Sequence, residues 1–354
     1  MDSIGKKKLW IFIAVAYGVT AVMSILMVFG FKMGNDLTVF VNTQMMYPAA
    51  GVILGKLIAR KEGEKLPMGG FITFLITTGV MMVLSILSII IHIEPYSLEA
   101  GGATTTLDVW NVFSQLVLMT GSAVAYILFW TCGKEIRANA GLSHKNIKAG
   151  AILVAIFVAL IFGRSFISVF LSDLMSGTHQ AFESFKGVLG NFAFWINLLA
   201  LPINYFLVFI AFFGEEYGWR YYLQPIMQDK FGKRLGVLIL GLVWAVWHIN
   251  VDFMYYTVED GPKAFVSQII TCIVIAIFFG YAYMKTGNIW VPVIMHYLNN
   301  NIAALMAGGK ADALQNQSIS WSDIPIHLAS CVVFALFILM PLYNKNKEAK
   351  NAEV

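Results

Sequence analysis

The stretch "INYFLVFIAFFGEEYGWRYYL", Ile203 to Leu223, carries an apolar run into Glu215, Glu216 and Arg220. Asn204 is the only strongly polar residue before the two carboxylates. The charges are either the wetted rim of a membrane helix or a cluster held inside the bilayer. Apolar runs like this one recur along all 354 residues, of which 58% are hydrophobic and 12% charged. A soluble domain is about 25% charged. The chain therefore reads as an all-α, polytopic integral membrane protein.

Ten spans are expected, at about 9–31, 37–59, 70–93, 109–132, 149–171, 193–224, 235–253, 265–284, 288–307 and 325–343. The first follows Lys6, Lys7 and Lys8 and exceeds a signal-peptide core in length. The sixth is too long for one simple crossing; with Pro202 inside it and Pro225 near its end, a separate short opening segment is expected.

Basic residues alternate between loops: Arg60, Lys61 and Lys65; Lys134, Arg137, Lys145 and Lys148; Lys230, Lys233 and Arg234; Lys285; then Lys345, Lys347 and Lys350. The intervening loops are acidic or poor in basic residues, which puts both termini in the cytoplasm. The small net charge of +4, spread over short loops, orients a membrane protein and offers no nucleic-acid surface. Cys132, Cys272 and Cys331 show neither an even count nor metal-ligand spacing. The segment "SGTHQAFESFKGVLGNF" mixes apolar and polar residues at helical spacing, and reads either as an interfacial helix or as a plain loop.

Three polar clusters share one depth. Counting back from Lys230 at about 1.5 Å per residue places Glu215 roughly 20 Å from the cytoplasmic boundary, inside a hydrocarbon core of about 30 Å. Three charges at that depth cost roughly 8–10 kcal/mol before pairing. Glu216 and Arg220, one helical turn apart, can neutralise each other, and Glu215 then points elsewhere. In "WAVWHIN", His248 lies roughly 20 Å from the same boundary, with Trp244 one turn earlier. In "VPVIMHYLNNN", His296 and Asn300 share one helix face, with His296 about 16 Å in.

Each residue also has a purely structural reading. A membrane His bonds neighbouring helices, a Glu–Arg pair clasps its own helix, and Asn residues glue helices together. Arg164 reads as a snorkelling or carboxylate-pairing residue, and Lys56 as snorkelling. His92, His144, His179 and His327, at span ends or in loops, read as ordinary.

The coincidence of depth points to chemistry. A carboxylate in a low-dielectric pocket can act as a general base. An imidazole can hold the same water and pass a proton to a leaving amine, while a second His and an Asn amide can donate to an oxyanion. These are the parts for water attack on an amide, with no cofactor required. No HExxH, GxSG or GxGD motif is present. A zinc site of Glu215, His248 and His296 stays open.

"EEYGWR", "WAVWH" and "HYLNN" together resemble the EExxxR, F/WxxxH and HxxxN motifs of the CAAX-protease and bacteriocin-processing family, the glutamic intramembrane endopeptidases. The resemblance covers Gly214 to Ile302, and "MKTGNIWVPVIMHYLNNN" is similar to the bacterial branch. It implies that Glu215 and His248 activate water, that His296 and Asn300 form the oxyanion hole, and that Glu216 and Arg220 support the site. It also implies a peptide or protein substrate and a bacterial plasma membrane. Many members carry Gly after the motif arginine. This chain has Tyr221, which together with Trp244 is a candidate for setting substrate fit.

The chain then divides into an accessory four-helix region (1–148), a protease core (149–308) and a final loop, span and basic tail (309–354). Two other classes could use the same residues: a non-catalytic immunity or scaffold protein that binds a peptide, and a proton-coupled transporter. Prenylated C-termini, bacteriocin or pheromone leaders and membrane-protein tails are all open as substrates, as is the oligomeric state.

Overall fold

A computed structural model describes residues 2–100, 103–309 and 313–344. The basic tail read at Lys345, Lys347 and Lys350 lies outside the described residues. The protein is an all-α, multi-pass membrane protein. Among the described residues, six helices are long and apolar enough to cross a membrane, or seven if one bent pair is a single span. Shorter helices occupy the other three expected spans: Thr38–Gln44 with Tyr47–Ile58, Trp290–Met306, and Asp323–Leu339. A two-stranded antiparallel hairpin, Tyr96–Ala100 with Ala103–Leu107, stands in one loop.

The chain folds as two compact units, Met1–Ser143 with Ile203–Gly218, and His144–Pro202 with Trp219–Val354. In the first, Met68–Ile90 packs on Val109–Thr131. Small residues allow this approach: a side chain on Gly121 would overlap Thr77. Thr43 and Ser85 hydroxyls lie 2.9 Å apart and each also reaches a carbonyl of its own helix, so neither hydroxyl is stranded. Lys56 does not snorkel. It is buried, with Nζ 3.4 Å from the Asn139 carbonyl and 4.0 Å from Glu64. A nearby carboxylate and a backbone acceptor replace the water it would otherwise seek.

The segment Ile203–Gly218 is built into this unit. Phe213 packs between Phe74 and Phe129 and stacks on Tyr217 at 4.8 Å, and the Tyr217 hydroxyl donates to the Ala140 carbonyl at 2.7 Å. Gly214 and Gly218 flank the two carboxylates one turn apart. They lie against the backbone of Met45–Met46 and against Pro48, where the second expected span is broken.

In the second unit, Lys233–Trp247 packs on Gly261–Thr286, with Gly241 against the Ile273 backbone. Phe157 of Ile147–Ser176 meets Phe278, Phe279 and Phe334. Arg164 on the same helix lies beside Cys331 and His327, and His327 bonds the Thr271 hydroxyl at 2.9 Å.

Two helix boundaries depart from the sequence reading. The separate short segment expected to open the sixth span does not form; the stretch read as an interfacial helix or a loop instead holds a helix, Gln180–Gly190, capped by Asp173, whose carboxylate accepts from the Ala181 and Phe182 amides at 2.9 Å. Helical structure then runs unbroken from Phe192 to Phe231, through Pro202. The seventh span, expected at about 235–253, bends by 44° between Lys233–Trp247 and Ile249–Tyr256, at His248.

Candidate active site

Glu215 and Glu216 end the α-helix Phe192–Glu216, and Tyr217–Leu223 continues as a π-helix. Wider turns re-aim side chains, and π segments recur at functional sites. The regular α spacing expected between Glu216 and Arg220 therefore does not hold locally. Glu215, Glu216 and Arg220 are all buried, so the cluster is no solvated rim. The carboxylates belong to the first compact unit; Arg220, Tyr221, Trp244, His248, His296 and Asn300 belong to the second.

Arg220 lies between two aromatic rings, its Cζ 4.6 Å from the centroid of Trp244 and 5.6 Å from that of Phe279. A buried guanidinium gains from such faces because the ring quadrupole is negative there. Tyr221, next in the chain, is half-buried.

His248 sits at the bend with φ −88° and ψ −3°, a sparsely populated region that often holds active-site residues. Its Nδ1 lies 2.9 Å from the Trp244 carbonyl and 3.9 Å from the Cys272 sulfur. A carbonyl only accepts, so Nδ1 carries the hydrogen and Nε2 is the basic nitrogen of the neutral ring. Trp247 meets the imidazole edge-on at 4.9 Å and Trp244 lies 5.9 Å away.

Trp244 also packs against His296 at 5.6 Å, nearly perpendicular, and Phe279 lies 6.1 Å from the same imidazole. The second unit thus gathers Arg220, His248 and His296 around one indole. His296 is buried and Asn300 half-buried, with the Asn300 carbonyl oxygen accepting from Asn299 at 3.1 Å. The Tyr297 hydroxyl donates to the Leu201 carbonyl at 2.9 Å and pins this helix to residues just before the carboxylate-bearing segment.

The limb Ile249–Tyr256 is strapped by a downstream segment. Asn316 and Gln317 amides donate to the Tyr255 and Tyr256 carbonyls at 3.2 and 2.7 Å, and the Ile319 amide donates to Asp260 at 2.8 Å. Among the described residues no three His, Cys, Asp or Glu side chains are grouped to hold a metal ion. Sequence reasoning missed Phe279, Trp247 and the Met45–Pro48 break. All are apolar or backbone features without a polar signature.

Residues 194–302 match the family model described as Rce1-like, type II CAAX prenyl endopeptidase Rce1-like. The chain thus carries a domain of the CAAX-protease and bacteriocin-processing family, a family of membrane-embedded proteases acting on peptide or protein substrates. No curated protein and no solved structure matches the chain significantly.

Proposed function

We propose that this chain is an intramembrane glutamic endopeptidase that hydrolyses a peptide bond of a peptide or protein at the membrane. Glu215 takes a proton from a water held with His248, and the hydroxide adds to the scissile carbonyl carbon. His296 and Asn300 donate to the resulting oxyanion. The C–N bond then breaks, and the proton passes through His248 to the leaving amine. The products are a carboxylate and an amine, so no cofactor takes part. Glu216 and Arg220 hold the site, and Tyr221 and Trp244 shape the substrate cavity.

The observation that carries this reading is the convergence of His248 and His296 on the Trp244 ring, at 5.9 and 5.6 Å, within a protease-family domain. Metal-independence follows from a mechanism in which a carboxylate, not a Lewis acid, activates the water. In this reading the core is 149–308, with 1–148 accessory and 309–354 the closing span and tail. The protein lies in a bacterial plasma membrane with both termini in the cytoplasm, as the alternation of basic loops supports.

The test is mass spectrometry of peptides in membranes bearing wild type or Glu215→Ala. Wild type is expected to release fragments that the variant does not, and their ends identify the scissile bond. Identical peptide profiles, with Glu215→Gln preserving the cellular phenotype, would establish the peptide-binding scaffold instead.

A further inference from the structure

Phe279 belongs to none of the three motifs. It lies on Gly261–Thr286, a helix without a site residue, and its side chain is fully buried. Its ring centroid is 5.6 Å from the Arg220 guanidinium carbon and 6.1 Å from the His296 ring. Trp244 touches the same two groups, at 4.6 and 5.6 Å. Phe157 meets Phe279 at 5.3 Å in an edge-on contact, so the ring is held in place from a third helix.

Two aromatic rings therefore bracket one permanent cation and one imidazole. An arginine side chain has several rotatable bonds and keeps its charge at any working pH. Two electron-rich faces favour the rotamers that lay the guanidinium over them, because each attracts it. The same rings bound the imidazole.

Resting on the endopeptidase reading above, we propose that Phe279 is a positioning residue of the reaction: with Trp244 it forms an aromatic slot that fixes Arg220 and orients His296 toward the oxyanion. What the position requires is the π face and not merely apolar volume.

Progressive fluorination separates the two requirements, since each fluorine weakens the π face with little change in shape. Phe279 is replaced by mono-, di- and trifluoro-phenylalanine in the full-length protein. Cleavage of a peptide carrying the mapped scissile bond is then followed. The expected result is a stepwise fall in kcat, about tenfold across the series, with KM and thermal midpoint unchanged. Phe279→Leu is expected to fall at least as far, and Phe279→Tyr to retain most activity. NMR relaxation of the Arg220 Nε–H bond in micelles gives a readout independent of turnover: its order parameter is expected to drop along the same series.

A flat kcat in an enzyme whose activity does depend on Glu215 overturns this inference and leaves the endopeptidase reading standing. Loss of Glu215 dependence overturns that reading itself. An unchanged Arg220 order parameter overturns the slot whatever reaction the protein performs.

Discussion

The Nδ1 atom of His248 lies 2.9 Å from the carbonyl oxygen of Trp244, four residues earlier in the chain. This contact fixes the neutral tautomer with Nε2 basic, and the 44° bend that begins there sets where the ring points. His248→Ala and Glu215→Ala are each expected to lower kcat by roughly 10²–10⁴-fold, the range for a lost general acid–base group. Nitrogen NMR of the wild-type imidazole is expected to report the Nδ1–H tautomer. An active His248→Ala enzyme would remove His248 from the mechanism.

His296 and Asn300 carry a different expectation. Oxyanion donors act in the transition state, so His296→Ala and Asn300→Ala should lower kcat by about 10²–10³-fold with little change in KM. A rise in KM at constant kcat would reassign them to ground-state binding.

The zinc alternative has a direct check. Purified protein treated with a strong zinc chelator is expected to keep full activity. Inactivation reversed by added zinc would move Glu215, His248 and His296 from water activation to metal ligation.

Gly214 and Gly218 test how the carboxylate segment is seated. A Cβ on Gly214 would come within 2.7 Å of the Met46 Cα, and one on Gly218 within 3.0 Å of the Pro48 carbonyl carbon. Backbone cannot retreat as a flexible side chain can. Each Gly→Ala change is expected to cost about 1–3 kcal/mol, read as a lower thermal midpoint in detergent. An unchanged midpoint would mean the close approach relaxes freely.

Asp260 sets an acid limit on the strap. Its hydrogen bond from Lys263 at 2.6 Å, and then that from the Ile319 amide, hold its carboxyl below the usual carboxylate range. A depressed carboxylate contributes stability that is complete above the unfolded pKa of about 3.9, and that is lost as pH falls through the lower folded value. The thermal midpoint of wild type is therefore expected to exceed that of Asp260→Asn above pH of about 5, with the gap closing as pH drops below about 4. A gap that persists in acid would place the effect of the substitution elsewhere.

Much was legible in the sequence because hydropathy and charge act locally. The apolar runs fixed the class, and counting from Lys230, Arg234 and Lys285 is what singled out the three polar clusters. The motif residues needed no neighbours to be noticed, since a charge or an imidazole at that depth is costly anywhere.

Helix breaks were not legible, because counting residues assumes a straight axis. "WAVWHINVDFMYY" contains no proline or glycine to announce the turn at His248, and the strap that bonds Tyr255 and Tyr256 lies some sixty residues downstream. Pro202, an expected breaker, leaves its helix unbroken, while the gap at Met45–Met46 opens where Gly214 presses on the backbone.

By itself, then, the sequence determined that this is a polytopic helical membrane protein and singled out the Glu, His and Asn residues of its candidate site. Apolar composition and run length alone mark a membrane-spanning helix. Only the tertiary structure decided how those groups are aimed: the π-helix after Glu216, the bend at His248, and the slot in which Trp244 and Phe279 bracket Arg220 and His296. Orientation depends on contacts between segments far apart in the chain, and an apolar ring such as Phe279 carries no mark of what it will touch until the helices pack.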